Sequence, residues 1–474
     1  MLFRLFLTFF SVAIVALSAA VYMKYAGQGY VYLLFTIVSN ALLFLGFRKR
    51  AIFFDVFIGV FFWLGFWLKL SIRVAYTNGL FHASVGAFDG SGPSFDRALL
   101  VASCGMLGLI MATLARERFF TYTDRPAECS QSGLFHFYRQ HRKAVVFVFL
   151  VLVATVAVTN TYFGIYQRGA ITQTVLPYGL NGVYKWLLQF GLASVSALII
   201  RFEIEISRNA TWMAAFPALI EGFLSNVSLL SRGMILNISA LFYGAYISLV
   251  AQKSKLNIAA VSIFALAFAV LFAVSLFAVN FMRSPTFQEW LSSAAVTLDV
   301  TEAQVHVRGM TTPLFIDRWV GIEGVMAVSS SPKLGWDLWR EAWREKYLET
   351  ATSFYDMHLI ESPYVNTDKT KHHYISLPGV IAFCFYPGSF LFLLACMVAL
   401  GAAAAGIEVI VYKLGGANVI LCSLLAQVVA FRFASFGYVP AQSYLLFGSL
   451  FLNVLIIFVA DKLLSHSSLR TDRE

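Results

Sequence analysis

The sequence predicts an all-α polytopic membrane protein, and three observations carry this prediction. Hydrophobic residues make up 59% of the 474 residues and charged residues only 13%, whereas a soluble domain has about half and about a quarter. The mean hydropathy is +0.74. Apolar runs of about 20 residues recur along the chain, and each is long enough to cross the membrane as a helix, whereas barrel strands would alternate in polarity over about 10 residues.

The apolar runs predict about twelve transmembrane helices. They cover residues 3–22, 28–46, 51–70, 97–115, 144–162, 183–201, 209–228, 234–252, 256–281, 377–400, 417–434 and 442–461. The first run could pass for a signal peptide, but because a second apolar run follows it, we interpret it as a membrane-anchoring helix. The chain therefore divides into helices 1–9 at residues 1–281, a long polar loop at 282–376, helices 10–12 at 377–461 and a tail at 462–474.

Basic residues cluster in loops that share one side of the membrane in this arrangement. The clusters lie at residues 48–50, 116–143, 253–255 and 462–473. Cytoplasmic loops of membrane proteins carry an excess of Lys and Arg. An even number of helices with both termini in the cytoplasm places every cluster on that side. Topology and the anionic membrane surface then account for the net charge of +10, and no nucleic acid is expected as a partner.

The polar loop at 282–376 falls on the opposite side, and it holds most of the groups that are capable of chemistry. Trp336, Trp339 and Trp343 recur at i, i+3 and i+7 with charged residues between them, which predicts an amphipathic helix. Tryptophans on one face suit the membrane interface, because the indole ring is apolar and its N–H is polar. Packing of this helix against the bundle is an equal alternative, and a sugar-stacking platform is a weaker third.

Several kinds of site have no sequence signal. The five cysteines show no CxxC spacing and none lies in the long loop, so neither a disulfide framework nor a zinc site is predicted. No glycine-rich phosphate loop or nucleophile elbow is recognisable, and the non-cytoplasmic side offers no ATP. We therefore expect no cofactor. An enzyme working on that side needs a substrate that is already activated, such as a sugar attached to a lipid diphosphate.

Arginines on the non-cytoplasmic side are the candidates for binding such a diphosphate. Arginine is always charged and forms paired hydrogen bonds with phosphate oxygens. Arg232 lies between two predicted helices and Arg432 near the outer end of another, and a charge at such depth is costly unless it is satisfied. Arg308, in the long loop, also lies on this side, where basic residues are less common than in cytoplasmic loops. We predict that these three arginines bind diphosphate.

Proton transfer has two kinds of candidate. A histidine with a pKa near about 6.5 suits proton transfer at neutral pH, and the sequence leaves open whether His372 or His373 acts. Glu323 is a second candidate, although a glutamate needs burial to raise its affinity for protons. An interfacial histidine is also commonly a hydrogen-bonding tether.

Five short motifs follow one another between about residues 225 and 390. They are, in order, Ser231-Arg232-Gly233, Arg318-Trp319, Ser331-Pro332, Gly335-Trp336, and His373 with Leu377. In their order and spacing they resemble the O-antigen polymerase and O-antigen ligase superfamily. The resemblance implies a C-type glycosyltransferase fold, a periplasmic active site in a bacterial inner membrane, and metal-independent transfer with inversion. The donor would be an undecaprenyl-diphosphate-linked oligosaccharide in the membrane lipid. A chain-length regulator protein is a further expected partner.

The resemblance also implies roles for single residues. Arg232 would hold the diphosphate, Arg318 would assist it, and His373 would act on the acceptor or on the leaving group. The sequence departs from the family pattern at Tyr374, where asparagine is usual, and in the direct succession of Arg318 and Trp319.

These observations favour a polysaccharide polymerase that extends a lipid-linked repeat unit, with His373, Arg318 and Glu323 as catalytic candidates. A ligase that transfers finished glycan to lipid A-core, or to another acceptor, is the first alternative. A lipid-linked glycan flippase or transporter is an alternative of another class. Against a transporter, the two halves of the chain show no internal similarity and no matched pair of broken helices.

Overall fold

A computed structural model describes residues 2–77, 79–81, 83–119, 132–207, 212–231, 235–252, 258–282, 319–349, 351–361 and 373–471. Within these ranges the chain is helical and has no β-strand, which confirms the all-α prediction. The helices are α1 (Leu2–Tyr22), α2 (Gly29–Gly46), α3 (Phe53–Thr77), α4 (Gly92–Arg116), α5 (Gly133–Phe163), α6 (Pro177–Ser207), α7 (Trp212–Ser228), α8 (Ile235–Ala251), α9 (Ile258–Met282), α10 (Ile322–Ser329), α11 (Trp336–Trp343), α12 (Phe354–His358), α13 (Val380–Cys384), α14 (Phe390–Leu414), α15 (Val419–Ala434) and α16 (Ser443–Thr471).

Eight helices in the described part of the chain are long and apolar enough to cross a membrane. They are α2, α3, α4, α5, α6, α9, α14 and α16. Three shorter apolar helices are Thr8–Tyr22, Ile235–Ala251 and Val419–Ala434. Each predicted apolar run overlaps a helix, so the chain is a polytopic membrane protein.

The loops gather at two ends of the helical bundle. At the end that we call the basic end, Arg48 pairs with Glu117 at 2.6 Å, and Ser132 donates to Asp461 at 2.6 Å. At the opposite end, which we call the loop end, residues 164–176, 229–231, 345–349, 351–361, 373–379 and 435–442 meet. The His373 backbone, for example, donates to the Gly169 carbonyl at 3.2 Å.

Small residues let the central helices approach closely. In α4, Gly108 faces Met397 of α14, and Ala112 faces Gly401 of the same helix. A methyl group added at Gly108 would lie 2.7 Å from the Met397 Cβ. Such contacts replace bulky side chains by backbone packing, which is the usual means of association between helices in a membrane.

The long polar loop differs from the prediction in one important respect, because part of it lies inside the bundle. Every residue of α10 (Ile322–Ser329) is buried, and the apolar side chains from Val325 to Val328 are completely inaccessible. Irregular backbone and short helices are tolerated among membrane helices when protein surrounds them. The segment is therefore a re-entrant helix held by its neighbours, whereas the tryptophan helix α11 forms over the residues that its periodicity predicts.

The tenth predicted span, residues 377–400, is displaced in the structure. A short buried helix, α13, comes first, and α14 begins only at Phe390. Pro387 has no backbone N–H, and Gly388 adopts a left-handed conformation with φ +76, so the helix cannot continue through this pair. Ser389 then caps α14 by accepting a hydrogen bond from the Phe392 backbone at 3.3 Å. Hydropathy alone does not detect this interruption, because the residues on both sides are apolar.

Candidate functional site

The candidate site lies at the loop end, where segments far apart in the sequence pack side by side. Residues 164–176 follow α5, and the Arg168 backbone donates to the Leu229 carbonyl at 2.9 Å. Gly169, the next residue, accepts the hydrogen bond from the His373 backbone. The loop after α5, the end of α7 and the close of the long polar segment are therefore joined directly.

His373 is held at both ring nitrogens. Its Nδ1 lies 2.6 Å from the Glu349 carbonyl oxygen, and its Nε2 lies 3.0 Å from the Tyr438 hydroxyl. Because a carbonyl oxygen can only accept, Nδ1 carries a proton, and Nε2 of the neutral ring accepts from Tyr438. These are the contacts of a tether. A substrate group reaches Nε2 only by displacing the Tyr438 hydroxyl.

The Tyr438 hydroxyl is the group that contacts Nε2 of His373. Partial burial, together with the negative charge of the nearby Glu345, raises the pKa of Tyr438 to about 12. The phenol therefore stays protonated at neutral pH and acts as a donor. Burial also raises the pKa of Glu345, whose carboxylate accepts from the backbones of Phe354 at 2.6 Å and Val439 at 2.8 Å.

Arg432 stands beside this pair at the end of α15. Its Nη2 donates to the Tyr438 carbonyl at 3.3 Å and to the Ser443 hydroxyl at 3.1 Å. Its guanidinium lies 5.5 Å from the centre of the Phe436 ring. These partners are all neutral, and among the described residues another arginine, Arg168, acts electrostatically on Arg432. Arg432 thus brings a positive charge to the loop end, and a positive charge favours an anionic ligand.

Glu323 occupies a different place from His373. It lies in the first turn of the buried helix α10 and forms an ion pair with Lys69 of α3, with 2.7 Å between Oε1 and Nζ. Only 6% of its side chain is accessible. The burial that a catalytic glutamate needs is therefore present, but the Lys69 ammonium lies directly against the carboxylate. No described contact joins Glu323 to His373.

Three of the predicted site residues lie outside the described part of the chain. They are Arg232, Arg308 and Arg318, and the alternative histidine His372 lies outside it as well. Ser231, the residue before Arg232 in the sequence, is described. Its backbone donates to the Asn226 carbonyl at 3.0 Å, in the same turn whose Leu229 carbonyl binds the Arg168 backbone.

The structure adds three residues that the sequence reasoning did not assign, namely Tyr438 and Arg168 at the site and Lys69 beside Glu323. Tyr438 carried no signal, since nothing relates it to a histidine that is distant in the chain. Arg168 had a weak signal as a basic residue on the side where basic residues are rare. Lys69 had the clearest signal, a lysine inside the apolar run around Trp67, because an ionisable residue within a membrane helix suggests function.

The tryptophan helix α11 borders the site. Trp336 packs against Phe392 at the start of α14, with ring centres 4.8 Å apart, and Trp339 stacks on Trp343 at 5.6 Å. Trp336 remains 49% exposed. Tyr347, beyond the helix, contacts the rings of His373 and Tyr438 at 5.8 and 6.1 Å. The helix therefore connects the end of a membrane helix to the residues around His373.

The arrangement as a whole offers cations for an anionic group and a hydroxyl–imidazole pair for a proton. These groups lie near the end of α15 and the start of α16. Comparison with known proteins adds no family to this description, since no family model, no curated protein and no solved structure matches the chain.

Proposed function

We propose that this chain is an inner-membrane polysaccharide polymerase of the C-type glycosyltransferase kind. It would transfer a glycan from undecaprenyl diphosphate to a second lipid-linked repeat unit. The observation that carries the proposal is Arg432, a partly buried cation at the loop end with neutral partners among the described residues and with Arg168 acting on it. A diphosphate on a membrane lipid supplies the missing negative charge, and arginine binds it through paired hydrogen bonds.

The reaction that these groups suit is a displacement at the anomeric carbon of the donor sugar. The acceptor hydroxyl oxygen forms the new glycosidic bond, the bond between the sugar and the phosphate oxygen breaks, and the diphosphate leaves with both bonding electrons. Arg432 stabilises the charge that develops on this leaving group. Arg232, Arg308 and Arg318 are assigned to the same diphosphate on sequence grounds. The proton of the acceptor goes to the Nε2 of His373 when the acceptor replaces Tyr438.

The proposed topology follows from the two ends of the bundle. The basic end carries Arg48 and Arg116, and because cytoplasmic loops are rich in basic residues, we infer that this end and both termini face the cytoplasm. The loop end then faces the periplasm, where lipid-linked repeat units are joined. About twelve crossings are proposed, with the shorter apolar helices crossing beside the longer ones.

The deciding experiment uses the purified protein in lipid nanodiscs with a lipid-linked oligosaccharide and no ion gradient. A polymerase converts this donor into a ladder of longer glycans on the same lipid. A ligase leaves the donor unchanged until lipid A-core is added. A flippase makes no product in nanodiscs but moves fluorescent donor across the membrane of a proteoliposome. Either of the last two results refutes the polymerase proposal.

A further inference from the structure

Lys69 is a buried lysine in the second half of the membrane helix α3. Its side chain is 2% accessible. A charged side chain at such a depth is expensive and usually marks a functional element, with a named partner. The Lys69 ammonium contacts residues 319–329, which we call the re-entrant segment. It lies 2.7 Å from the Glu323 carboxylate and donates to the Trp319 carbonyl at 2.7 Å.

The helix that carries Lys69 is shaped to receive the re-entrant segment. Just before Lys69, α3 changes to a π-helix over Trp63–Leu68, a local widening that is frequent at functional sites. Gly65 in this stretch lies against the backbone of Val320 and Gly321. A methyl group added at Gly65 would lie 2.4 Å from the Val320 oxygen, and one added at Gly321 would lie 2.1 Å from the Gly65 oxygen. The two backbones therefore meet directly.

The re-entrant segment in turn supports the residues that lead to His373. Gly324 packs so closely on Pro378 that an added methyl group would lie 2.0 Å from the Pro378 oxygen. One residue later, the Gly379 backbone donates to the Phe436 carbonyl at 3.0 Å. Segment 373–379 therefore contacts both α10 and the loop that carries Tyr438.

Asp356 fixes the middle of the same segment. The Ser376 backbone donates to its Oδ2 at 3.0 Å, and the Ser353 hydroxyl donates to the same oxygen at 2.6 Å. Three backbone amides, those of His373, Ser376 and Gly379, therefore fasten the segment to three different elements. A shift of α10 would change the support at Pro378 first.

We propose that Lys69 is a positioning residue that sets the placement of His373 against Tyr438 through the re-entrant segment. Two short polar contacts from one ammonium group fix both the depth and the rotation of residues 319–324, whereas apolar packing fixes mainly the depth. A buried ion pair adds little stability relative to apolar side chains of the same size, so its use at this position is to specify geometry. The link to catalysis rests on the proposed polymerase function, while the positional link does not.

The test compares two variants in nanodiscs. Lys69→Met removes the ammonium and strands the Glu323 carboxylate, and the double variant Lys69→Met/Glu323→Met removes both charges at nearly constant volume. Hydrogen exchange is measured at the amides of His373, Ser376 and Gly379, with the amides of Phe135 and His136 at the basic end as internal controls. Glycan transfer is measured as kcat and KM for the lipid-linked oligosaccharide.

We expect about tenfold faster exchange in segment 373–379 for both variants, with unchanged exchange at the controls. The double variant should regain the Tm of the unmodified protein yet keep a kcat lowered by about tenfold at unchanged KM. If the double variant instead recovers normal exchange in segment 373–379, packing alone positions the segment and the proposal is wrong. If exchange changes as expected while the unmodified protein transfers no glycan, the polymerase proposal fails and the positioning role of Lys69 stands.

Discussion

Arginines are used in opposite ways at the two ends of the molecule. At the basic end, Arg116 donates to the Asp55 carboxylate at 2.8 Å, and the Nε of Arg142 donates to the Glu203 carboxylate at 2.6 Å. At the loop end, Arg432 reaches a carbonyl and a hydroxyl. Arg116 and Arg142 are thus neutralised by acids, whereas the described partners of Arg432 are neutral.

The energetic consequence differs in the same way. Removing one member of a buried ion pair strands the other charge in a poorly solvated place, which costs stability. Removing Arg432 strands no described carboxylate, so its loss should leave the fold intact and affect only what the charge binds. The following predictions test this distinction, beginning with the largest effect.

Asp55→Asn should strongly destabilise the protein. Both side chains of the Arg116–Asp55 pair are only 7% accessible, and the substitution replaces the carboxylate that the guanidinium contacts by a neutral amide. We expect a loss of about 3–5 kcal/mol in the free energy of unfolding. Denaturant unfolding in detergent, followed by circular dichroism, measures this change.

The matched control removes both charges. Asp55→Leu/Arg116→Met should recover most of the lost stability, because neither charge remains unpaired. A double variant as unstable as Asp55→Asn would show that the pair holds the basic end through its hydrogen bonds to neighbours such as Thr113, which donates to Asp55 at 3.0 Å.

Arg432→Ala should have the reverse effect, with large loss of activity and little loss of stability. We expect glycan transfer to fall about 100-fold, which corresponds to about 2.7 kcal/mol of lost transition-state stabilisation. Arg432→Lys should recover only part of this, because an ammonium cannot form the paired hydrogen bonds of a guanidinium. The nanodisc transfer assay and a thermal unfolding curve on the same samples measure both quantities.

Arg201 provides the control for a general effect of removing an arginine. It donates to the Gly416 carbonyl at 2.7 Å near the basic end, far in the fold from the loop end. Arg201→Ala should keep normal transfer. Two results would contradict the distinction between the arginines of the two ends. One is a loss of transfer in Arg201→Ala as large as that in Arg432→Ala, and the other is a marked drop in the Tm of Arg432→Ala.

Sequence patterns predicted the parts of the molecule that depend on local physics. The tryptophan spacing predicted α11, and each apolar run overlaps a helix, of which eight in the described ranges are long and apolar enough to cross a membrane. The pattern did not reveal that α10 is buried, because IEGVMAVS is short and lies among polar residues. The burial of α10 follows from the close contact between the backbones of Gly65 and Gly321, and a hydropathy pattern does not encode such a contact.

The site was predictable in its residue types and less so in its connections. His373, Glu323 and Arg432 stood out by chemistry and position. The Tyr438 contact with His373 and the Lys69 contact with Glu323 join distant parts of the chain, and no periodicity encodes them. The structure consequently places Glu323 with Lys69 inside the bundle and His373 with Tyr438 at the loop end.

Tyr438→Phe should have a moderate effect. It removes the hydroxyl that donates to the Nε2 of His373 at 3.0 Å and keeps the ring that packs beside Tyr347. The lost hydrogen bond is worth about 1 kcal/mol, so we expect about a fivefold change in transfer. A rate of transfer equal to that of the unmodified protein would show that His373 acts only as a tether.

Glu345→Gln should give the smallest effect, one that depends on pH. Burial raises the pKa of Glu345 above 4.5, so the folded state binds this proton more tightly than the unfolded state does. The stabilisation from this proton is fully present below the unfolded value and is lost as the pH rises through the folded value. Stability of the unmodified protein should therefore fall slightly as the pH rises above about 4.5 relative to Glu345→Gln, in which this group no longer titrates. Partial exposure to solvent keeps the difference small. A difference that grows in the opposite direction would mean that the two backbone donors, Phe354 and Val439, outweigh burial and hold the carboxylate in its charged form.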